Sequence, residues 1–176
     1  AMFEIGLGFQ HRSYLRLTEN DGQPSWLFGK RNLLNDRGPA ESRVVSEFPR
    51  YTAASVEAQI DAVLAAWGMP LDKRRVTAGI MVETDLRGID SHGISMLIMY
   101  EQMHRAGQVR FDADPSIVRQ TATTALVDGH AGLGHPVSAM AMRLAVEKAL
   151  AHDVGVVSVR NSHHFGAAGC YADMAA

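Results

Sequence analysis

The sequence predicts an α/β (α+β) fold in which a helical module precedes a region of mixed strands and helices. Apolar residues recur at helical spacing between residues 49 and 115. Short runs rich in β-branched residues then alternate with a long helical pattern between residues 116 and 176. A composition of 47% hydrophobic and 20% charged residues, with 16 glycines and 6 prolines, is typical of a globular protein with a buried core.

Residues 1–48 differ in composition from the rest of the chain. Residues 19–47 are rich in Gly, Asn, Asp, Arg and Ser, and they carry neither a sustained helical nor an alternating apolar pattern. Trp26, Leu27 and Phe28 form an isolated apolar group within them. We therefore expect residues 1–48 to be a poorly ordered leader.

Three helices are predicted in the helical module, residues 49–115. The first spans 53–67 and has Thr52 as its N-cap. The second spans about 72–87, and the third spans 94–105, with Ser91 before it as a candidate N-cap. A glycine follows each helix and can end it.

After Pro115 the pattern changes to that of an α/β domain, which we expect to be incomplete at residue 176. Two short strands are predicted at 117–120 and 125–128, joined by a threonine-rich turn. Pro136 lies in the first turn of a helix that reaches about His152 and is stopped by Gly155. A buried strand, 156–159, then leads through a loop into a helix that begins near Gly166 and is still apolar at the last residue.

Charge and cysteine content exclude several classes of protein. Lys and Arg number 17 against 19 Asp and Glu, which leaves a net charge of -2 and gives no support for a nucleic-acid or anionic-membrane partner. The single cysteine, Cys170, excludes an intramolecular disulfide framework. Since no apolar run is long enough for a membrane span and no signal peptide is visible, we expect a cytoplasmic protein.

Asp90-Ser91-His92-Gly93 lies between the second and third predicted helices and has two interpretations. Ser91 can simply cap the helix, with Gly93 easing the bend and His92 exposed. Alternatively, the free amides of the helix start, together with Ser91 and His92, can bind an anionic substrate.

A second candidate is 161–166, Asn-Ser-His-His-Phe-Gly, which joins a strand to a helix where α/β proteins often bind ligands. His163 and His164 are adjacent, so their side chains diverge and suit one metal ion poorly; without an HxxxH or CxxC partner, zinc is disfavoured. A histidine in such a loop suits general acid/base chemistry. The glycines and alanines of 166–169 allow close approach of a ligand.

Gly132-Leu133-Gly134 lies between a strand and a helix, as a dinucleotide-binding motif would. A Rossmann fingerprint needs a third glycine and an acidic residue at the end of the next strand, and neither is present. The pattern therefore disfavours a Rossmann site. His130 and His135, which flank the glycines, are interpreted as surface or capping residues.

Three segments resemble the malate/L-lactate dehydrogenase family, whose members include ureidoglycolate, sulfolactate and piperideine-2-carboxylate enzymes. They are the following stretches of sequence: DLRGIDSHG at 85–93, ALVDG at 125–129 and GVVSVRNSHHFGAAG at 155–169. The resemblance runs in order from about Pro49 to Ala176. It implies a non-Rossmann α/β fold with a nicotinamide-binding domain, in a homodimer at full length.

The resemblance also implies roles for individual residues. His164 matches the histidine that exchanges a proton with the substrate's hydroxyl or carbonyl oxygen. Ser91 and His92 match a Ser-His pair that lines the substrate and has acid/base or relay duties in some members, so the resemblance implies that all three are catalytic residues. The cofactor, NAD or NADP, is touched by a loop whose residues match His164, Phe165, Gly166, Ala167 and Ala168 here.

Two departures from the family's pattern bear on these roles. Met96 stands where some NADP-dependent members have an arginine, which slightly favours NAD, and His163 stands where many members have asparagine.

The resemblance predicts an oxidoreductase that moves a hydride between NAD(P) and a small 2-hydroxy acid or its 2-oxo partner. Because the family's later cofactor segments have no counterpart here, we expect the 176-residue chain to be an N-terminal part that is inactive alone. The alternative is a truncated, non-catalytic remnant that acts at most as an interaction module.

Overall fold

The computed structural model describes residues 2–5, 11–20, 23–32 and 51–176, in two compact units that divide after Tyr51. In the first unit, three antiparallel strands form a sheet in chain order. They are β1 (Met2–Ile5), β2 (His11–Asn20) and β3 (Gln23–Asn32).

Part of β2 and all of β3 lie within residues 19–47, where the sequence shows neither a sustained helical nor an alternating apolar pattern. The register of β2 and β3 sets Asn20 opposite Gln23. The two residues between them in the sequence are Asp and Gly, a dipeptide that favours two-residue hairpin turns. That residues 1–48 act as a separable leader stays a prediction.

The second unit, Thr52–Ala176, begins with two helices. They are α1 (Ala53–Ala66) and α2 (Leu71–Leu86), close to the predicted bounds. The predicted N-cap is confirmed, because the Thr52 hydroxyl accepts a hydrogen bond of 3.2 Å from the amide of Ser55.

The third helix begins differently from the prediction. A 3-10 turn, Ile94–Met96, leads into α3 (Leu97–Arg105). The prediction of Ser91 as N-cap is wrong: the amide of Ile94 donates to the carboxylate of Asp85, at 2.8 Å. Asp85 can reach this amide because Gly93 has no side chain, and a Cβ there would overlap the carboxylate.

A mixed sheet follows the helices and confirms the α/β (α+β) class. β4 (Ser116–Gln120) pairs antiparallel with β5 (Thr124–Gly132), which pairs parallel with β6 (Val156–Ser162). The long helix α4 (Gly134–His152) connects the two parallel strands. As predicted, Pro136 lies in its first turn.

Three details after residue 150 correct the sequence analysis. Helix α4 ends at His152, as predicted, but the residue that stops it is Asp153, with a left-handed backbone (φ 65°), and not Gly155. The residues of β6 are exposed or half-buried rather than buried. Helix α4 packs against the strand, and the exposed residues alternate with half-buried ones along most of it. The last helix, α5 (Gly169–Ala172), is one turn long and begins three residues after Gly166.

The core of this unit draws its most deeply buried side chains from α1, α2, α3, β5 and α4. Its largest fully buried apolar side chains are those of Tyr100, Ile60, Leu64, Met81, Leu97, Val63, Val127 and Val137. Among the described residues, no helix combines the length and apolarity needed to cross a membrane.

Two glycines give a matched test of this packing. Gly155 lies against α4, where an added Cβ would overlap the carbonyl oxygen of Ala145, whereas Gly79 lies in α2 with open space around it. We expect Gly155→Ala to lower the free energy of unfolding by about 1–3 kcal/mol through overpacking. Gly79→Ala should raise it by about 0.5–1 kcal/mol. Urea denaturation measures both; equal effects would contradict the packing of the 153–155 turn on α4.

Candidate active site

Two adjacent histidines follow β6, and their side chains diverge. Nε2 of His163 lies 2.8 Å from the carbonyl oxygen of Gln108. Nδ1 of His164 lies 2.7 Å from the hydroxyl of Tyr100, on α3. The alternation expected of consecutive residues in an extended segment thus gives the two rings different surroundings. His163 is held at a loop carbonyl, and His164 faces the helices.

The start of α4 holds this loop by direct backbone contact. The amide of Gly134 donates to the carbonyl of His164 at 2.9 Å, and the amide of His163 donates to the carbonyl of Gly132 at 3.1 Å. A Cβ on Gly134 would overlap the carbonyl oxygens of both histidines. The Gly-Leu-Gly segment therefore serves close packing of strand, helix and loop.

Just before this contact, β5 and β6 both depart from regular strand geometry. The backbones of His130, Ala131 and Asn161 are left-handed, with φ of 50°, 59° and 49°, and the register shifts between Asp128 and Gly132. Such conformations cost free energy in residues other than glycine and cluster at functional sites. Here they immediately precede the residues that form the contact at Gly134.

The carboxylate of Asp128 holds this irregular region together. It accepts hydrogen bonds from the His130 amide (2.8 Å), the Asn161 side chain (3.0 Å) and Arg160 Nε (2.9 Å). These donors, the His130 amide first, lower the pKa of Asp128 to about 2. The ionised carboxylate thus links the two strands at the point where they leave the sheet.

Ser91 and His92 lie in the turn between α2 and α3. The hydroxyl of Ser91 is 2.8 Å from Nδ1 of His92. Since the carboxylate of Asp85 bonds the Ile94 amide at the start of the helix, Ser91 does not cap the helix. Its hydroxyl instead orients the imidazole of His92. Burial raises the pKa of Asp85, while the bond from Ile94 opposes that rise.

The structure brings His92 and His164 together, although they are far apart in the sequence. Their ring centroids are 5.3 Å apart. Burial, and secondly the neighbouring His92, lower the pKa of His164 below its ordinary value of 6.5. His164 is therefore neutral at neutral pH and sits next to a second imidazole.

Two further side chains of this cluster were missed from the sequence. Tyr100 is fully buried in methionine-rich α3, and its ring lies edge-on to that of His135, at 6.0 Å. The prediction that His135 is a surface or capping residue is wrong. Because α4 begins at Gly134, His135 falls on its first turn and is buried against Tyr100 and His164.

His135 is held as an uncharged side chain. Neither of its ring nitrogens has a hydrogen-bond partner among the residues described. Burial, and to a lesser extent His164, lower its pKa to about 3. A buried polar group without partners is unusual and costs about 1–3 kcal/mol.

The loop after His164 is exposed at Phe165 and close-packed at Gly166. The Phe165 side chain is 42% exposed, and its carbonyl accepts a hydrogen bond from the Tyr171 hydroxyl on α5. Gly166 has a positive φ of 78°, and a Cβ there would lie 2.8 Å from Nε2 of His135. Ala167 is buried and Ala168 is exposed.

A cleft of about 380 Å³ lies elsewhere, over the sheet. Its lining residues are Arg119, Gln120, Thr121, Thr124, Ala125, Leu126, Val156 and Ser158. None of the predicted site residues lines it. The histidine cluster and this cleft are therefore separate features of the unit.

Comparison with known proteins supplies the family. The sequence profile described as malate/L-lactate dehydrogenase matches residues 51–176. The chain belongs to this family. The match covers all the elements that build the cluster of His92, Tyr100, His135 and His164.

Curated members of the family are similar in sequence. The chain is 42% identical to the L-sulfolactate dehydrogenase of Methanothermobacter thermautotrophicus over 116 residues, which are 66% of this chain and 34% of that protein. It is 41% identical to the malate dehydrogenase of Pyrococcus abyssi over 114 residues, 65% of this chain and 32% of that protein. The chain thus spans about a third of the length of these relatives.

Solved structures of family members confirm the fold. The malate dehydrogenase of Pyrococcus horikoshii matches with a TM-score of 0.70 and 37% identity, covering 73% of this chain and 37% of that one. The sulfolactate dehydrogenase of Methanocaldococcus jannaschii matches with a TM-score of 0.68 and 37% identity, covering 70% and 36%.

The hydrogen bonds to Asp128 predict a pH dependence of stability. Its pKa in the folded protein, about 2, lies below its ordinary value of 3.8, so its stabilisation is present above pH 3.8 and is lost as the pH falls toward 2. We expect Asp128→Asn to have a lower free energy of unfolding than the wild type at pH 7. This difference in free energy should shrink as the pH falls from 3.8 toward 2. Urea denaturation between pH 2 and 7 measures it.

Asp72→Asn, which removes an exposed carboxylate from the first turn of α2, controls for the change in net charge. The role given to the carboxylate would be contradicted if the free energies of unfolding of wild type and Asp128→Asn differed by the same amount from pH 7 to pH 2.

Proposed function

We propose that this family member is a dehydrogenase that moves a hydride between NAD(P) and a small 2-hydroxy acid or its 2-oxo partner. The observation that supports this most is the pairing of His164 with His92, at 5.3 Å, in a partly buried cluster. The relatives' names agree with it, since they include sulfolactate, malate, lactate and hydroxycarboxylate dehydrogenases.

His164 is the residue proposed to exchange a proton with the substrate oxygen. Tyr100 occupies Nδ1 of its ring, which leaves Nε2 for the hydroxyl or carbonyl oxygen of the substrate. Burial keeps the imidazole neutral at neutral pH, so its protonation state can change during the reaction.

Ser91 and His92 are proposed to hold the substrate. The bond from Ser91 occupies Nδ1 of His92 and leaves Nε2 available to the carboxylate of a 2-hydroxy acid. A histidine held by one nitrogen has few rotamers left, and such pre-orientation lowers the entropic cost of positioning the substrate.

The nicotinamide cofactor is proposed to lie against His164, Phe165, Gly166, Ala167 and Ala168. An exposed aromatic side chain at 165 and small residues at 166–168 suit a flat ring next to His164. When bound, the cofactor supplies or accepts the hydride, and the loop orients it beside the proton-exchanging imidazole.

Several finer features belong to this proposal. Met96 offers no positive charge for a 2′-phosphate, which favours NAD slightly over NADP. The family resemblance supports a homodimer, a small-molecule substrate and a cytoplasmic location, without a nucleic-acid or membrane partner.

The test is an absorbance assay of the protein encoded by the complete reading frame. The protein is incubated with NADH or NADPH and a panel of 2-oxo acids that includes sulfopyruvate, oxaloacetate and pyruvate. We expect His164→Ala to lower kcat by roughly 10²-fold or more, the scale of lost general acid/base catalysis.

His163→Ala is the matched control, because His163 contacts the carbonyl of Gln108 and not the cluster. Its effect on kcat should be much smaller. An equal or larger effect of His163→Ala would refute the assignment of His164. Absence of turnover with every 2-oxo acid would favour the alternative of a non-catalytic interaction module.

A further inference from the structure

Tyr100 has an unusual position for a tyrosine. Its side chain is completely buried, yet its hydroxyl lies 2.7 Å from Nδ1 of His164, the proposed proton-exchanging residue. Burial raises the pKa of Tyr100, so the hydroxyl keeps its proton. A protonated hydroxyl beside a ring nitrogen can either donate to it or accept from it.

A second contact decides between these two possibilities. The amide of Gly166 also approaches Nδ1 of His164, at 3.3 Å. A backbone amide can only donate, and the nitrogen that accepts its hydrogen bond carries no proton. Tyr100 must then donate as well. In the neutral ring, the proton of His164 therefore resides on Nε2.

The remaining neighbours of His164 leave this assignment unchanged. His92 faces it from the turn before α3, and Nδ1 of His92 is bonded to Ser91. His135 faces it from α4, with ring centroids 6.3 Å apart and no hydrogen bond between them. Within the described part of the chain, no hydrogen-bond acceptor other than the Tyr100 oxygen is recorded at Nδ1 of His164.

We propose that Tyr100 is a positioning residue that holds neutral His164 in the tautomer with its proton on Nε2. In this tautomer the neutral ring donates an Nε2–H hydrogen bond to the carbonyl oxygen of a 2-oxo acid; the ring gives that proton to the substrate only after Nδ1 has taken up a second proton, since a neutral ring would otherwise become an imidazolate. Accepting a proton from a 2-hydroxy acid requires an unprotonated Nε2 and a proton on Nδ1, so the Tyr100 hydroxyl must turn from donor to acceptor and the Gly166 amide must release Nδ1. The assignment of the substrate oxygen rests on the proposed function; the tautomer does not.

The experiment is a long-range ¹H–¹⁵N correlation on the 176-residue chain labelled with ¹⁵N-histidine. The chain has eight histidines, so His164→Gln identifies the His164 signals. The spectrum is recorded at a pH well above 6.5, where the ring is neutral. We expect Nδ1 of His164 at the shift of an unprotonated nitrogen and Nε2 at that of a protonated one.

Two tyrosine variants separate the hydrogen bond from general disturbance of the loop. Tyr100→Phe keeps the buried ring and removes the hydroxyl, the nearer of the two donors at Nδ1 (2.7 Å against 3.3 Å for the Gly166 amide). The two His164 shifts should therefore move part of the way toward those of a mixture of tautomers. Tyr171→Phe removes another buried hydroxyl, which donates to the Phe165 carbonyl and does not touch His164. It should leave the His164 nitrogen shifts unchanged.

A wild-type spectrum with the proton on Nδ1 of His164 would overturn the proposal, and so would shifts that are the same in Tyr100→Phe and wild type. Both outcomes are independent of dehydrogenase activity. In the complete protein, Tyr100→Phe should also lower kcat/KM for a 2-oxo acid by about tenfold, the effect of losing a hydrogen bond worth about 1.4 kcal/mol.

Discussion

The close approach of Gly134 to the loop after β6 is the constraint on which the site depends. The amide of Gly134 bonds the carbonyl of His164, and no side chain fits between them. This contact fixes where α4 begins, and it thereby places His135 behind His164. The left-handed residues of both strands immediately precede the contact, and Asp128 holds those strands with three hydrogen bonds. Backbone geometry, rather than side-chain packing alone, therefore positions the imidazole.

The electrostatics of the cluster follow from that placement. Three imidazoles lie close together, and a positive charge on one would disfavour charge on the others. Burial keeps His135 neutral and holds the pKa of His164 below its ordinary value. Because no carboxylate is recorded in contact with these rings within residues 51–176, hydrogen bonds from Tyr100 and Gly166 orient His164 instead. The result is a neutral, oriented ring beside His92, which suits proton exchange near neutral pH.

The elements were largely predictable from local signals, and the site was predictable only in part. Apolar periodicity and the Thr52 cap gave α1 and α2 within about one residue of their bounds. The divergence of His163 and His164 follows from strand alternation. The role of Asp85 depends on the missing Cβ at Gly93, and that of His135 on its contacts with Tyr100 and His164, which are distant in sequence. Local sequence pattern reveals neither. The contact of Tyr100 with His164 could not be predicted for the same reason, since a tyrosine among apolar helix residues is expected to be an ordinary core side chain.

Cross-relaxation between the ring protons of His92 and His164 tests the central claim most directly. The rings are 5.3 Å apart, and the backbone of His164 is held by the hydrogen bond from the Gly134 amide. A nuclear Overhauser effect between the two rings is expected in the wild-type chain. It should weaken or disappear in Gly134→Ala, whose added Cβ displaces the loop, and persist in Gly79→Ala, whose Cβ meets open space. An absent effect in the wild type, or an unchanged one in Gly134→Ala, would contradict the claim.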